Sequence, residues 1–268
     1  MTYKSAQKNI ASTSRIWELD FIRGFCVFMM ICDHTLFDLG FVFQTQWFPQ
    51  GGDNIIATIC NFASDFYWGH PIKAIVRNLV LVGFIGICGI SCSFSRSNLK
   101  RGLRLLVIAL ALTAVTALMD KLMGVKDNFI IRFGVLHLLS VSILAYWALG
   151  RLPRWLVLGL GAVLAALGLC FSANPIEAAN LFVFILGLGG GAYSADYFPL
   201  LPYLGFFLMG ASLGSLIYPQ KVSYFPKHGH GKALRPFMFL GSHALLIYVV
   251  HQPLIYGLLL ALGLFFAS

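Results

Sequence analysis

The chain has 268 residues, of which 59% are hydrophobic and only 11% are charged, and its formal net charge is +9. Its mean hydropathy is +0.81, and soluble globular domains are only about 45–50% apolar. This composition excludes an ordinary soluble domain and predicts an all-α integral membrane protein. The basic residues cluster between apolar segments, as the loops of membrane proteins do, so the positive charge does not indicate a nucleic-acid partner.

Seven apolar segments are candidate membrane spans, because a bilayer core about 30 Å thick needs about 20 residues of helix. The predicted fold is therefore a polytopic helical bundle, with residues 1–19 as a tail and residues 20–268 as a single transmembrane domain. In chain order the spans are Phe21–Phe43, Ala74–Phe94, Leu103–Met119, Phe129–Leu149, Trp155–Phe171, Leu200–Tyr218 and Phe237–Phe266.

A shorter apolar segment, residues 181–192, either crosses the membrane or forms a re-entrant segment. If it does not cross, fourteen of the nineteen basic residues lie on the cytoplasmic side, and if it crosses they divide ten to nine. The positive-inside rule favours the first arrangement. We therefore predict seven spans in the lipid bilayer of the plasma (inner) membrane, with a cytoplasmic N-terminus.

The first span carries a polar stripe. Arg23 and His34 are eleven residues apart, so on an α-helix they share one face and lie about 16 Å apart along the axis. Asp20 and Asp38 extend this face by one turn at either end. Ionisable residues inside a membrane usually face a bundle interior or an aqueous path and mark a functional site. The alternative is that Arg23 marks the interface and that His34 and Asp38 join helices.

His34 and Asp38 are the predicted catalytic residues. A carboxylate one turn from an imidazole can fix its tautomer and stabilise the imidazolium, which is a standard way to build a general base. Asp33 points about 100° away from His34 around the helix, and its role is open.

Three residues in later spans are candidates for substrate binding. Arg132 either clamps an anionic group or extends to the lipid headgroups. His137 needs hydrogen-bond partners, because a polar ring in a span is otherwise costly. His251 precedes Gln252 and Pro253, and the proline frees backbone carbonyls there, so this region forms part of a cavity or a simple kink.

Two groups outside the spans complete the candidate set. The aromatic-rich segment at residues 62–78 carries Asp65 and Arg77, a combination that suits either a sugar or an interfacial belt. The basic loop FSRSNLKRGLR, residues 94–104, is either a topology signal or a site for the phosphates of a cytosolic donor, with Arg96, Lys100 and Arg101 as candidate donor-binding residues. The six cysteines show no metal-ligand spacing, and no metal is expected.

Several segments together resemble the transmembrane acyltransferases, and within them the bacterial relatives of the heparan-alpha-glucosaminide N-acetyltransferase catalytic domain. They are ELDFIRGFCVFMMICDHTLFDL, GFIGICGISCSFSRS followed by KRGLRLL, IRFGVLHLL, DYFPLLPYLGFFLMGASLG and LGSHALLIYVVHQPLIYG. The spacing of Arg23 and His34 also resembles that of the membrane enzymes that O-acetylate bacterial surface polysaccharides. The resemblance implies acetyl-CoA as cytosolic donor, a hydroxyl or amine of an extracytoplasmic sugar or glycan as acceptor, and a central catalytic histidine.

We therefore expect an acyltransferase in which acyl-CoA enters between Arg23, with Asp20, and the basic loop, and in which His34 acts as base or carries the acyl group. The alternatives are a small proton- or anion-coupled transporter or flippase that uses the same polar stripe, and a scaffolding membrane protein. The acceptor, the choice between N- and O-acylation and the oligomeric state are open, with a homodimer as one alternative.

Overall fold

A computed structural model of the chain describes residues 16–48, 51–177, 180–189, 193–226 and 231–263. Every regular element within these ranges is helical, so the prediction of an all-α protein is confirmed. In chain order the helices are α1 (Trp17–Phe37), α2 (Gln44–Trp47), α3 (Ile55–Asn61), α4 (Pro71–Ser93), α5 (Asn98–Met123), α6 (Val135–Ala148), α7 (Arg154–Ala173), α8 (Leu181–Leu186), α9 (Leu200–Ile217), α10 (Arg235–Ser242) and α11 (Ala244–Gly263).

Six helical stretches in the described residues are long and apolar enough to cross a membrane. They are the continuous stretch Trp17–Trp47, which contains α1 and α2, and the helices α4, α5, α7, α9 and α11. The helix α6 is apolar but shorter. The predicted polytopic membrane architecture is thus confirmed. Residues 1–15 of the predicted tail lie outside the described residues.

The chain forms two compact units. Of the residues that the structure describes, those from 16 to 84 and from 222 to 263 form unit 1, and those from 85 to 221 form unit 2. Unit 1 contains α1, α2, α3, α10 and α11 together with the first part of α4, up to Phe84. Unit 2 contains the remainder of α4 and the helices from α5 to α9.

Paired glycines bring α1 and α10 together in unit 1. A Cβ atom at Gly24 would collide with the backbone of Phe237, and one at Gly241 would collide with the backbone of Asp20. Helices in lipid associate by close packing rather than by a hydrophobic driving force, so small residues at the crossing are what allow this approach. Arg23 reinforces it, because its guanidinium donates to the Asp20 carboxylate at 2.9 Å and to the Gly241 carbonyl at 3.3 Å.

Two π-helical segments, Asp38–Phe43 and Phe62–Tyr67, follow α1 and α3. They touch at Gly40, where a Cβ atom would meet the backbone of Ala63 and Ser64 within 3.2 Å. A π-helical turn holds more residues than an α-helical turn, so the face that a residue presents shifts beyond it. Asp38, at the first position of such a segment, is therefore the last residue that the simple helical wheel of α1 places correctly.

Small residues also allow close helix packing in unit 2. Gly161 of α7 and Gly205 of α9 lie against each other, and Gly210 of α9 lies against Gly86 of α4. The helix α9 is the most enclosed of the six candidate spans, with half of its 18 residues buried. Its small residues permit this enclosure by letting two neighbours approach its backbone closely.

The predicted span Phe129–Leu149 was wrong at its start, because the helix begins only at Val135. The backbone amides just before Val135 are not helical, and side chains accept hydrogen bonds from them. The Asp120 carboxylate accepts from the amides of Phe129 at 2.8 Å and Ile130 at 3.2 Å, and Thr116 accepts from Ile131 at 3.1 Å. Each buried amide needs an acceptor, and these side chains supply it without a helix.

The predicted span Phe237–Phe266 was also wrong, because the helix is interrupted at His243. The first part, α10, packs on α1, and the second part, Ala244–Gly263, is the candidate span. In residues 181–192 the structure has only the six-residue helix α8, which ends at Gly187 with a positive φ of 76°. A helix of this length rises about 9 Å and cannot cross a bilayer; residues 190–192 lie outside the described residues.

Candidate active site

Two histidines of unit 1 face each other across α1 and α11. The ring centroids of His34 and His251 are 5.0 Å apart, with the ring planes at 76°. Nδ1 of His34 lies 2.9 Å from the Met30 carbonyl oxygen, and Nδ1 of His251 lies 2.7 Å from the Tyr248 carbonyl oxygen. A carbonyl oxygen can only accept, so both Nδ1 atoms carry the proton. In the neutral form each Nε2 therefore presents a lone pair.

Asp38 is buried beside this pair, with 2% of its surface exposed. Its two carboxylate oxygens accept from Nε2 of Gln252 at 3.2 and 2.9 Å. The direct hydrogen bond to His34 that the four-residue spacing suggested is not formed between these described side chains. The reason is that the Met30 carbonyl already occupies Nδ1 of His34, and Gln252 occupies the carboxylate.

Two acceptor atoms next to the histidine pair lack a donor. Nε2 of His251 and Oε1 of Gln252 are both buried and have no hydrogen-bond partner among the described residues. A buried polar atom without a partner costs about 1–3 kcal/mol. The site around His34 is thus rich in acceptors, which matches a ligand that donates hydrogen bonds.

Asp33, for which the sequence left the role open, organises a second cluster on the next face of α1. Its Oδ1 accepts from the Tyr67 hydroxyl at 3.1 Å and lies 3.5 Å from the Lys73 ammonium, and its Oδ2 lies 4.0 Å from Nε of Arg77. The Lys73 ammonium also lies 2.9 Å from the centroid of the Trp68 ring. Arg77, a predicted substrate residue, therefore belongs to this cluster.

Burial raises the pKa of the Tyr67 hydroxyl to about 12, and the negative charge of Asp33 acts in the same direction. Both effects disfavour a phenolate beside a carboxylate. Tyr67 is consequently a hydrogen-bond donor to Asp33 throughout the physiological pH range.

Arg132 and His137 belong to unit 2, where both are held by internal contacts. The Arg132 guanidinium pairs with Asp127 at 2.7 Å and donates to the Tyr193 carbonyl. His137 accepts from the Gly134 amide through Nδ1 and contacts the Thr113 hydroxyl through Nε2 at 3.2 Å. With both ring nitrogens occupied, His137 stabilises the start of α6.

The basic loop and Asp65 are exposed. Lys100 and Arg101 lie in the first turn of α5, and Arg96 precedes that helix. Cations are unfavourable at a helix N-terminus because the amide dipoles there are already positive, so this end of α5 is suited to an anion. Asp65 accepts from the neighbouring Ser64 hydroxyl at 2.7 Å and lies outside the Asp33 cluster as the structure describes it.

The structure adds Gln252 to the residues beside the histidine pair, and it shows a second cluster formed by Asp33, Tyr67, Trp68, Lys73 and Arg77. Gln252 is 214 residues from Asp38, so no local spacing could have paired them. The only sequence signal for the second cluster was an unexplained aspartate in a span, followed by an aromatic segment with two cations.

Comparison with protein families identifies the chain. The family model for the heparan-alpha-glucosaminide N-acetyltransferase catalytic domain matches residues 15–66 and 57–253, which together are most of the chain. The chain belongs to this family. The match includes the histidine pair, Asp38, Gln252 and the Asp33 cluster, and it confirms the family resemblance seen in the sequence. Comparison with curated proteins and with solved structures finds no match.

Proposed function

We propose that this member of the heparan-alpha-glucosaminide N-acetyltransferase family transfers an acetyl group from cytosolic acetyl-CoA to a hydroxyl or amine of an extracytoplasmic sugar or glycan. The enzyme would lie in the plasma (inner) membrane with its N-terminus in the cytoplasm. Its family supports a membrane acetyltransferase, and its six candidate spans support a multi-pass protein.

The observation that carries the catalytic part of the proposal is the tautomer of His34. Its Nδ1 proton is held by the Met30 carbonyl, so the lone pair of Nε2 is available to take a proton or to attack a carbonyl carbon. His34 is partly exposed, whereas Asp38 beside it is fully buried. Asp38 is then a buried neighbour of His34 that is held by Gln252, rather than a direct hydrogen-bond partner of His34.

Two routes fit this arrangement. In direct transfer, Nε2 removes the proton from the acceptor hydroxyl or amine while the acceptor atom attacks the thioester carbon. The C–S bond then breaks, and the CoA thiolate takes the proton from His34. In the covalent route, Nε2 itself attacks the thioester carbon and the CoA thiolate leaves. The acceptor atom then attacks the acyl carbon of the acyl-imidazolium, the acyl–Nε2 bond breaks, and the CoA thiolate takes the proton of the acceptor. In both routes Nε2 of His251, which has no partner among the described residues, is a neighbouring hydrogen-bond acceptor for the substrate.

The basic residues before and within the first turn of α5 are the proposed site for the phosphates of the donor. Arg96, Lys100 and Arg101 are exposed, and guanidinium groups pair well with phosphate oxygens. Arg23 and Asp20, which the sequence also suggested for the donor, form the ion pair that joins α1 to α10. His251, whose ring lies 5.0 Å from that of His34 between centroids, remains a candidate for acceptor binding.

The test is acetyl transfer by purified protein in liposomes, with radiolabelled acetyl-CoA and glucosamine as the probe acceptor. His34→Gln should lower the rate at least about a hundredfold, the lower end of the contribution expected for a general base or nucleophile. The matched control is His243→Gln, because Nδ1 of His243 also contacts a backbone carbonyl, that of Phe239 at 3.0 Å. The control should keep the wild-type rate.

Equal rates in wild type and His34→Gln, with both proteins monodisperse, would refute the catalytic role of His34. If acetyl-CoA is not turned over but the liposomes show proton-coupled flux that His34→Gln abolishes, the chain is a transporter. If it shows neither activity, and His34→Ala and Asp38→Ala leave every cellular phenotype unchanged, the scaffold alternative is favoured.

A further inference from the structure

The Asp33 cluster has more positive than negative charge. One carboxylate faces two cations, Lys73 at 3.5 Å and Arg77 at 4.0 Å. Both cations lie in the first two turns of α4, where the helix dipole adds further positive potential. Only 9% of the Lys73 side chain is exposed, so its charge is not simply solvated. The cluster therefore has a net attraction for an anion.

The cluster also has more hydrogen-bond donors than acceptors. Nε1 of Trp68 is buried and has no acceptor among the described residues. Arg77 makes no hydrogen bond to any described residue. Its contact with Asp33 is an ion pair, with 4.0 Å between Nε of Arg77 and Oδ2 of Asp33. Asp33 itself already accepts from Tyr67. The group that would complete this cluster is one that only accepts hydrogen bonds.

We propose that Trp68, Lys73 and Arg77 form a subsite for an oxyanion, a phosphate, sulfate or carboxylate group carried by the acetyl acceptor. The planar guanidinium of Arg77 can pair with two oxygens of such a group, and Lys73 is fixed as a second charge by the ring of Trp68 and by Asp33. Asp33 directly precedes His34 on α1, so the subsite would hold the acceptor next to the proposed base. This inference rests on the proposed acetyl transfer, and it predicts an acidic sugar or phosphorylated glycan as the physiological acceptor.

The test compares two probe acceptors, glucosamine 6-phosphate and glucosamine, in neutral phosphatidylcholine nanodiscs. Wild type should show a higher kcat/KM for the phosphorylated acceptor, with the difference in KM. Arg77→Gln should reduce that preference about tenfold, the loss expected for one charge-assisted pair, and Arg77→Lys should restore part of it. Lys121→Gln is the control, because Lys121 is an exposed cation at the end of α5; it should keep the wild-type preference.

A lipid headgroup could supply the same oxyanion, and a second measurement separates the two sources. Retention of phosphatidylglycerol by wild type and by Arg77→Gln is compared by native mass spectrometry. If Arg77→Gln loses the lipid but no acceptor preference exists, the site binds an oxyanion but the acceptor is not its source. If Arg77→Gln changes neither the acceptor preference nor lipid retention, the oxyanion site is refuted. Because binding of labelled glucosamine 6-phosphate can be measured without acetyl-CoA, this result is independent of whether His34 is the catalytic base.

Discussion

Replacing Gln252 tests whether its amide is what stabilises the buried carboxylate of Asp38. Hydrogen bonds to a charged group contribute about 1.5–3 kcal/mol each, and those between neutral groups about 0.5–1.5 kcal/mol. Since Nε2 of Gln252 contacts both carboxylate oxygens, Gln252→Leu should lower the free energy of unfolding by about 3 kcal/mol. In an Asp38→Asn background, which removes the charge and keeps the shape, the same change should cost only about 1 kcal/mol.

The difference, a coupling energy of about 2 kcal/mol, is measured by a double-mutant cycle. Unfolding by a denaturing detergent in mixed micelles, followed by tryptophan fluorescence, supplies the four free energies. Gln44→Leu is the control, because the amide of Gln44 bonds to Asn61 on an exposed surface and should cost less than about 0.5 kcal/mol. Additive effects of the two substitutions would refute the argument that Gln252 stabilises the charge of Asp38.

The remaining predictions concern helix packing and pH. Gly24→Ala should lower the melting temperature by several degrees, because overpacking a close contact costs about 1–3 kcal/mol. The control is Gly83→Ala, which should be neutral or slightly stabilising because Gly83 has open space around it. Equal effects of the two substitutions would contradict the α1–α10 crossing. The phenolate spectrum of Tyr67, measured as the difference between wild type and Tyr67→Phe, should titrate at about pH 12. Any stability that the neutral phenol contributes to the folded state is present below about pH 10 and is lost between about pH 10 and 12. Titration near pH 10 would contradict the described environment of Tyr67.

The sequence predicted the membrane architecture well, because a run of apolar residues is a local property that composition reports directly. The predicted start of the span at Phe129 was wrong because a side chain of the preceding helix accepts hydrogen bonds from the backbone there. Asp120 accepts hydrogen bonds from the amides of Phe129 and Ile130, so this apolar segment is not helical. The break between α10 and α11 was likewise not visible in hydropathy, because the residues on both sides of it are apolar. It lies at His243, two residues after Gly241, where α10 crosses α1.

The site was predictable only along α1. Helical spacing correctly put His34 and Asp38 on neighbouring turns, but it assigned Asp38 the wrong hydrogen-bond partner, since the true partner comes from the far end of the chain. Asp33 was left without a role for the same reason. Its partners lie in the π-helical segment Phe62–Tyr67 and in α4. A helical wheel for α1 contains no information on which groups those elements bring to it.

The two sides of α1 differ in the kind of hydrogen-bond partner that they lack. Beside His34 the atoms without partners in the described chain are acceptors, in His251 and Gln252, and beside Asp33 the buried atom without one is a donor, in Trp68. The hydrocarbon core of the bilayer can satisfy neither kind. A sugar that carries a hydroxyl or amine and an oxyanion would satisfy both, donating to the first side and accepting from the second. Binding in that sense directs the reactive X–H bond of the acceptor towards the histidine pair, which is the orientation that acetyl transfer by His34 requires.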